Sequence, residues 1–372
     1  MKIVVDDKIP YIRGTLELLA DEVVALRGAE ITADDVRDAD VLVVRTRTRC
    51  DEQLLSGSKV QLVATATIGF DHIDTEYMQR AGIVWTNCPG CNAASVAQYV
   101  ECALMLLERE EWTLRDKLAK ANGHFCLKGA TIGIVGCGHV GSKVKAVAER
   151  LGMRVLVCDP PLEEALNQSL IVKPLLEESH ELSSSPIVQH QVFVPLSTIE
   201  EEADVITFHV PLTTDGRFAT WHMADEAFFQ RLARVPYLIN TSRGEVVDND
   251  ALLRALEEGM VRDAVVDVWE HEPDLNRRLL EKVFIGTPHI AGYSADGKAN
   301  ADNMVVDAIC RQFHLPRPAL IVPPSLPEDF VYSGDALELY NPFMDSQRLK
   351  KCPEDFEKLR NNYPLRREQY DK

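Results

Sequence analysis

The stretch GIVGCGHVGSKVKAVAERLG places Gly136, Gly138 and Gly141 in the spacing G-x-G-x-x-G, between an apolar strand and a helical stretch. In that context Gly136 permits a tight turn, Gly138 lets the backbone approach a pyrophosphate, and Gly141 allows the helix to pack closely on the strand. The helix N-terminus offers unpaired N–H groups to the phosphates. Asp159 ends the next strand, where a carboxylate can bind ribose hydroxyls and repel a 2′-phosphate. The sequence therefore predicts NAD as the cofactor. A glycine-rich turn that binds no dinucleotide is the alternative, and the agreement of strand, helix and acid disfavours it.

Apolar strands alternate with helical stretches along most of the chain. Continuous apolar runs are typical of parallel strands covered on both faces, and they lie at residues 2–7, 40–46, 59–67, 82–87, 130–136, 154–159, 204–210, 237–242, 263–269 and 283–288. Helices are predicted at residues 11–23, 93–110, 139–152 and 303–313. The alternation predicts an α/β fold with two Rossmann-like, doubly wound parallel-sheet domains. Residues 160–191 lack this periodicity, which predicts an irregular surface excursion.

Length and charge limit the classes of function. A chain of 372 residues exceeds one ordinary hydrophobic core. Its net charge of -18, from 58 acidic and 40 basic side chains, argues against a nucleic-acid scaffold, which needs a basic surface. A few local arginines can still hold a small phosphorylated anion. No apolar window approaches the ~18 residues of a membrane span, and the start MKIVVDDKIPYIRG does not resemble a signal peptide.

The nine cysteines are scattered along the chain, which is typical of reduced thiols in a cytoplasm. Cys88 and Cys91 form a CxxC pair, but a zinc site would need a second pair. The favoured interpretation is two incidental thiols, and no metal site is expected.

Four polar residues follow the later predicted strands, at the edge where open α/β sheets bind ligands. They are Arg243, Asp267, Glu272 and His289. Histidine titrates near neutrality and can act as both base and acid, a paired glutamate would raise its pKa and fix its tautomer, and an arginine can hold a carboxylate through two hydrogen bonds. Each residue alone could equally be a cap or a surface group. Their common placement after a dinucleotide-binding motif favours oxidation of a hydroxy acid.

The stretches TSRGEVVDNDALLRAL, VVDVWEHEP and TPHIAGYS together resemble the D-isomer-specific 2-hydroxyacid dehydrogenase family over roughly residues 1–315. The resemblance implies that Arg243 binds the substrate carboxylate, that His289 is the general acid/base and that Glu272 pairs with it. Asp267 matches the acid that holds the nicotinamide carboxamide. Arg243 itself is also expected to contact the cofactor. Further cofactor contacts are expected from residues of the glycine-rich loop and of the loops after two later strands: His139, Val140, Thr241, Ser242 and Gly292.

Within this family, VVRTRT, ATATIGFDHID and NCPGCNAASVAQYV resemble the members that oxidise 4-phospho-D-erythronate to 2-oxo-3-hydroxy-4-phosphobutanoate in pyridoxal 5′-phosphate synthesis. Thr46, Thr67 and Tyr293 fall where those enzymes contact substrate. Backbone amides near Gly69 are expected to help bind the carboxylate. Arg45 is predicted to add charge near the phosphate or carboxylate, although a solvated loop arginine is an equal alternative.

The family's architecture implies a substrate-binding domain from residues 1–98 with 291–320, an NAD-binding domain from 99–290 and a C-terminal dimerisation segment from 321–372. The last segment spaces Phe356, Leu359 and Tyr363 at helical intervals, as in a dimer arm or a solvated tail. The expected partners are a small anionic phosphorylated hydroxy acid and a second copy of the chain, with neither nucleic acid nor membrane. Alternatives are oxidation of 3-phosphoglycerate, glycerate/hydroxypyruvate or D-lactate, and a non-catalytic NADH-sensing protein.

Overall fold

The structure, a computed structural model, describes residues 1–109, 125–172, 192–327, 329–364 and 366–368. It divides into two compact units, each built on its own parallel sheet. The first unit contains Met1–Ser95, Gly292–Ser333 and, near the C-terminus, residues 366–368, and the second contains Val96–Ala291 and Gly334–Pro364. The described residues after 320 are thus divided between the two units.

The first unit has a five-stranded sheet in the order β2-β1-β3-β4-β5. Its strands are β1 (Lys2–Asp6), β2 (Glu22–Leu26), β3 (Val41–Val44), β4 (Leu62–Thr65) and β5 (Val84–Thr86). Its helices in this part of the chain are α1 (Arg13–Leu16), α2 (Ala33–Val36), α3 (Glu52–Leu55) and α4 (Thr75–Ala81). β3 and β4 bury every residue, as expected for central parallel strands covered on both faces.

The second unit has a six-stranded sheet in the order β11-β10-β9-β8-β6-β7. Its strands are β6 (Thr131–Val135), β7 (Arg154–Cys158), β8 (Val205–Phe208), β9 (Tyr237–Asn240), β10 (Asp263–Val266) and β11 (Ile285–Gly286). Its pairings are all parallel. β6 lies between β7 and β8, so the strand order reverses at β6, and this is the point where such sheets bind ligands.

Helices cover both faces of each sheet, as the doubly wound prediction requires. In chain order they continue with α5 (Ala93–Glu108), α6 (His139–Arg150), α7 (Pro160–Val172), α8 (Leu196–Glu202), α9 (Glu226–Arg231), α10 (Asn249–Glu258), α11 (Arg277–Lys282), α12 (Ala295–Phe313), α13 (Ala336–Leu339), α14 (Pro342–Lys351) and α15 (Phe356–Asn361). In the second sheet α5 and α6 pack against Ile132 and Ile134, whereas α9 and α10 pack on the opposite side with Ile206 and Leu238. In the first unit α12 packs on the face that carries Val41 and Val43.

Two predictions of secondary structure were wrong, one in each unit. The stretch 11–23 is helical only at Arg13–Leu16, and its end belongs to β2, because Glu22–Leu26 pairs along the edge of β1. The predicted irregular excursion begins instead with α7, whose start is stabilised by Asp159: its Oδ1 accepts the Leu162 N–H at 3.0 Å. Residues 173–191 of that excursion lie outside the described residues.

Two predictions near the C-terminus also need correction. The helix predicted at 303–313 begins at Ala295, because the Ser294 hydroxyl caps it by accepting the Gly297 N–H at 2.8 Å. The alternative of a solvated tail fails for Phe356, which is 1% exposed and packs in the core of the second unit with Leu349. The dimer arm stays a prediction.

The cysteines are unpaired, and those of the CxxC motif are structural. Cys88 is buried and its thiol donates to the carbonyl oxygens of Thr65 and Ala301 at 3.3 and 3.4 Å. Burial raises the pKa of both motif thiols, that of Cys91 to about 11, so neither is a thiolate at neutral pH. The described residues contain no cluster that could hold a metal ion and no helix long and apolar enough to cross a membrane.

Candidate active site

The glycine-rich loop lies between β6 and α6, and two of its glycines are required by close backbone contacts. Gly136 has a φ of +90°, and a Cβ there would lie 2.6 Å from the carbonyl oxygen of His209. A Cβ at Gly141 would lie 2.0 Å from the carbonyl oxygen of Gly136. Any side chain at these positions would displace the loop or the helix, so the geometry assigns Gly136 to the turn and Gly141 to helix packing.

The start of α6 has the features of a phosphate-binding site. Gly138 is the N-cap, no side chain caps the helix, and a Cβ on Gly138 would meet no atom within 4 Å. His139 and Val140 form the first turn behind it. The loop backbone therefore leaves open space in front of helix N–H groups that have no side-chain acceptor, which fits a pyrophosphate.

Asp159 follows β7 and is positioned by the same loop. Its Oδ2 accepts the Cys137 N–H at 2.7 Å, so the carboxylate is anchored to the glycine-rich loop. Each carboxylate oxygen has a second lone pair, which leaves acceptors for ribose hydroxyls. The residues present therefore fit NAD.

His289 and Glu272 form a hydrogen-bonded pair. His289 Nδ1 lies 2.9 Å from Oε2 and 3.2 Å from Oε1 of Glu272. Since a carboxylate only accepts, Nδ1 carries the proton and Nε2 is the ring nitrogen left for a substrate. Both side chains are partly buried, with relative exposures of 28% and 18%. This arrangement can take up a proton at Nε2 and stabilise the resulting imidazolium.

Glu272 is held as a carboxylate by several donors. Burial raises its pKa, but hydrogen bonding and charge from His289, the Trp269 N–H and the charge of Arg360 outweigh burial, so the pKa is lowered. The Trp269 N–H donates to Oε1 at 3.0 Å, and Arg360 Nη1 lies 3.4 Å from Oε2. Arg360 was not found from the sequence, because it lies 88 residues beyond Glu272 and no local motif marks it.

Asp267 holds the loop that carries His289. It is 1% exposed, and it accepts the Thr287 hydroxyl and the Ile290 N–H at Oδ1 and the Ala291 N–H at Oδ2, at 2.6, 2.8 and 2.9 Å. These bonds fix a loop in which His289 has a φ of +58°, a conformation that is unfavourable for residues other than glycine. Asp267 thus has a structural task that the sequence did not predict, and Oδ2 keeps a lone pair for a carboxamide N–H.

Arg243 follows β9 in the same unit. Its Nη1 donates to the Ser242 carbonyl at 2.8 Å, and in the described part of the chain no carboxylate lies within ion-pair distance of the guanidinium. Its remaining N–H groups can therefore bind a substrate carboxylate. The neighbouring Thr241 contacts His209 Nδ1 through its hydroxyl at 3.4 Å, whereas Ser242 is buried and donates its hydroxyl to Asn240 Oδ1 at 2.9 Å.

The predicted substrate residues of the first unit lie after its strands. Arg45 and Thr46 follow β3, and Thr67 and Gly69 follow β4. The Thr67 hydroxyl donates to the Gly69 carbonyl at 2.9 Å, which orients this loop. Tyr293 precedes α12, and its carbonyl accepts a hydrogen bond from Arg366 Nη1 at 2.8 Å.

Gly292 was predicted to let the backbone approach the cofactor. A Cβ there would lie 2.2 Å from Asn92 Nδ2, within the first unit. This contact with a side chain favours glycine without any cofactor, so the prediction of a cofactor contact has no separate support from packing.

The second unit, with its dinucleotide loop and Glu–His pair, matches the family model described as D-isomer specific 2-hydroxyacid dehydrogenase, NAD binding domain, over residues 95–188 and 176–291. The chain belongs to the D-isomer-specific 2-hydroxyacid dehydrogenase family, and NAD is its cofactor. Within that family it is similar to proteins named erythronate-4-phosphate dehydrogenase. It is 51% identical to that of Bacteroides thetaiotaomicron, over 99% of this chain and 97% of the relative. It is 41% identical to that of Porphyromonas gingivalis, over 99% and 94%.

A solved structure shares the fold. D-lactate dehydrogenase from Aquifex aeolicus, complexed with NAD and lactic acid, superimposes with a TM-score of 0.64 and is 26% identical, over 84% of this chain and 96% of that chain. The predicted family, the two-sheet α/β class and NAD as the cofactor are therefore confirmed. The individual binding roles of the site residues stay predictions.

Proposed function

We propose that this chain catalyses the NAD-dependent oxidation of 4-phospho-D-erythronate to 2-oxo-3-hydroxy-4-phosphobutanoate, a step of pyridoxal 5′-phosphate synthesis. The observation that carries the proposal is the Glu272–His289 pair, in the unit that also contains the dinucleotide loop of a chain 51% identical over nearly its whole length to an erythronate-4-phosphate dehydrogenase. The relatives' names favour this substrate over 3-phosphoglycerate, glycerate or D-lactate.

In the proposed mechanism Arg243 binds the C1 carboxylate through two hydrogen bonds. His289 Nε2 removes the proton of the C2 hydroxyl, and the Glu272 carboxylate stabilises the imidazolium that forms. NAD, held by the glycine-rich loop and Asp159, would supply the acceptor for the hydride on C2, and loss of this hydride together with the hydroxyl proton would leave C2 as a carbonyl carbon. Asp267 keeps the His289 loop in place throughout, and its free lone pair is proposed to accept from the nicotinamide carboxamide.

The remaining binding roles are proposed by position. Gly138, His139, Val140 and Gly141 would bind the pyrophosphate through backbone N–H groups, because the loop leaves the space at Gly138 open. Gly136, whose own N–H donates to the Cys158 carbonyl, would contribute the tight turn that brings the loop to the cofactor. Asp159 would bind the ribose, and Thr241 and Ser242 would contact the cofactor from the loop after β9. In the first unit Arg45, Thr46, Thr67, Gly69 and Tyr293 would bind substrate.

A substrate panel tests the proposal. Purified protein is given NAD with 4-phospho-D-erythronate, 3-phospho-D-glycerate, D-glycerate or D-lactate, and NADH formation is followed by absorbance, with single-turnover measurements where product release is slow. We expect the highest kcat/KM with 4-phospho-D-erythronate. A preference for another acid would keep the mechanism and reject the substrate, and tight NADH binding without turnover of any acid would favour the sensor hypothesis.

The role of His289 is tested separately with His289→Gln. We expect kcat to fall by about 10²- to 10⁴-fold, the usual contribution of a general acid/base. NADH binding, measured by fluorescence titration, should stay close to that of the unmodified protein, since the cofactor contacts are intact. Near-normal turnover in this variant would remove His289 from the mechanism.

We also propose that the enzyme acts in the cytoplasm as a homodimer. Nine cysteines without a disulfide suit a reducing compartment. Large apolar side chains are exposed in the segment after α12: Leu320, Val322 and Val331 are 69%, 75% and 82% exposed, as in surfaces that associate. Light scattering coupled to size exclusion should give twice the 41.6 kDa chain mass, and a monomer at micromolar concentration would reject the dimer.

A further inference from the structure

Lys298 is a partly buried cation on the first turn of α12. In the described residues it has neither a hydrogen bond nor a carboxylate within ion-pair distance. Its Nζ lies 4.6 Å from the centroid of the Tyr293 ring. A cation–π contact supplies no hydrogen-bond acceptor, so the three N–H donors of the ammonium are available to an anion.

A second cation, Arg45, lies near Lys298. Arg45 Nη1 donates to the Lys8 carbonyl at 3.3 Å, in the loop after β1. The same loop reaches α12, because the Tyr11 N–H donates to Asp302 Oδ2 at 3.2 Å. Asp302 lies one helical turn after Lys298, on the same face.

The acid in this cluster does not neutralise the two cations. Asp302 is 1% exposed, and burial raises its pKa to about 7. The charges of Lys298 and Arg45 both act on it to lower that pKa, which shows that all three groups share one electrostatic environment. Near neutral pH a large fraction of Asp302 is therefore uncharged, and the cluster has a positive charge that an anion would compensate.

We propose that Lys298 and Arg45 together bind the phosphate group of the substrate, and that Lys298 makes the enzyme select a phosphorylated hydroxy acid over an unphosphorylated one. The inference rests on the proposed function and adds to it the residue that recognises C4. A phosphate monoester is close to a dianion at pH 7 and has three acceptor oxygens. The guanidinium of Arg45 and the ammonium of Lys298 match the two negative charges and the several acceptor oxygens of the phosphate. The single charge of the C1 carboxylate is assigned to Arg243.

The electrostatics of the lysine agree with this role. Burial lowers the pKa of Lys298, and the charge of Arg45 lowers it further, while Tyr293, Cys91 and Asp302 act in the opposite direction. A charged group in such surroundings is stabilised when an anion binds. The binding free energy of the substrate phosphate would therefore be more favourable at Lys298 than at an exposed lysine.

The test compares two substrates that differ only in the phosphate, 4-phospho-D-erythronate and D-erythronate. For Lys298→Gln we expect kcat/KM with the phosphorylated substrate to fall by about 10- to 100-fold, the range of a hydrogen bond to a charged group. With D-erythronate it should be unchanged. The matched control is Lys59→Gln, an exposed lysine of the same unit paired with Asp38, which should leave both substrates unaffected. Equal losses on both substrates, or no loss on the phosphorylated one, would overturn the inference.

Inorganic phosphate gives a second measurement that does not depend on turnover. Calorimetric titration should show saturable binding to the unmodified protein, about tenfold weaker binding to Lys298→Gln, and binding largely restored in Lys298→Arg, which keeps the charge. Phosphate binding that is absent from the unmodified protein, or identical in Lys298→Gln, contradicts the inference. If the substrate panel rejects 4-phospho-D-erythronate while phosphate binding still depends on Lys298, the proposed substrate is wrong and the phosphate site remains.

Discussion

Replacing Asp267 by asparagine tests whether this buried carboxylate holds the His289 loop. The side chain accepts three hydrogen bonds, two at Oδ1 and one at Oδ2. An asparagine has one acceptor oxygen, so its best orientation keeps the Thr287 and Ile290 donors and turns the NH₂ group toward the Ala291 N–H. One charge-assisted hydrogen bond is then lost, and the two that remain become neutral.

The magnitude follows from those three bonds. A hydrogen bond to a charged group contributes about 1.5–3 kcal/mol, and a neutral one about 0.5–1.5 kcal/mol. The neutral amide costs less to bury, which offsets part of the loss. We therefore expect Asp267→Asn to lower the free energy of unfolding by about 2–4 kcal/mol, without any cofactor present. Because His289 then loses its fixed position, kcat should fall by about tenfold or more.

Urea unfolding of the cofactor-free protein, followed by far-UV circular dichroism, measures the stability, and NADH formation measures kcat. The control is Asp250→Asn, at an exposed carboxylate that accepts a hydrogen bond from Asn276; its effect should stay within about 0.5 kcal/mol. Equal stability of Asp267→Asn and this control would refute a role of the three hydrogen bonds in holding the loop. If stability falls and kcat does not, the loop position of His289 is not important for turnover.

Four further substitutions test other contacts. Gly141→Ala places a Cβ 2.0 Å from a backbone oxygen, so it should cost about 1–3 kcal/mol of stability and weaken NAD binding. The Cβ of Gly138→Ala would meet no atom within 4 Å, so this variant should bind NAD more weakly and keep its stability. Calorimetry on both variants measures NAD binding and stability, and equal stability losses would contradict the prediction. Arg360→Gln removes one of the charges that lower the pKa of Glu272. The acid limb of its kcat–pH profile should therefore move to higher pH, and an unshifted limb would exclude a positioning role for Arg360. Asp302→Asn tests whether stability depends on the protonation of this buried carboxyl group. Burial raises the pKa of Asp302 in the folded state to about 7, against about 3.9 in the unfolded state. The wild-type protein loses stability as pH rises through that window, so the Tm advantage of the variant should be larger at about pH 8 than at about pH 5. A constant difference would contradict the raised pKa.

Features with a local cause were predictable from the sequence. The roles of Gly136 and Gly141 follow from backbone conformation and strand–helix spacing, and the close contacts that a Cβ would make there, with the His209 and Gly136 carbonyls, agree with them. Errors occurred where a distant segment competes with local propensity. Glu22–Leu26 forms an edge strand because its backbone pairs with β1. The local sequence pattern that predicts a helix contains no information about that pairing.

The proposed catalytic residues also have features that the sequence predicts and contacts that only the structure shows. The order of Arg243, Glu272 and His289 along the chain is enough to indicate a hydroxy-acid dehydrogenase, because the spacing after parallel strands places polar residues at one edge of a sheet. It does not show that Arg360, from the C-terminal part of the chain, contacts Glu272.

What the sequence by itself determined is the nucleotide loop, the strand–helix alternation, the family and the set of polar residues, all of which depend on residue type and short-range spacing. Only the tertiary structure decided that Asp267 fixes the His289 loop, that Gly334–Pro364 belongs to the second unit, and that Lys298 and Arg45 share one environment with Asp302. The physical reason is that these features arise from contacts between segments far apart in the chain. Charge, burial and hydrogen bonding at such contacts are set by folding and leave no periodic pattern in the sequence.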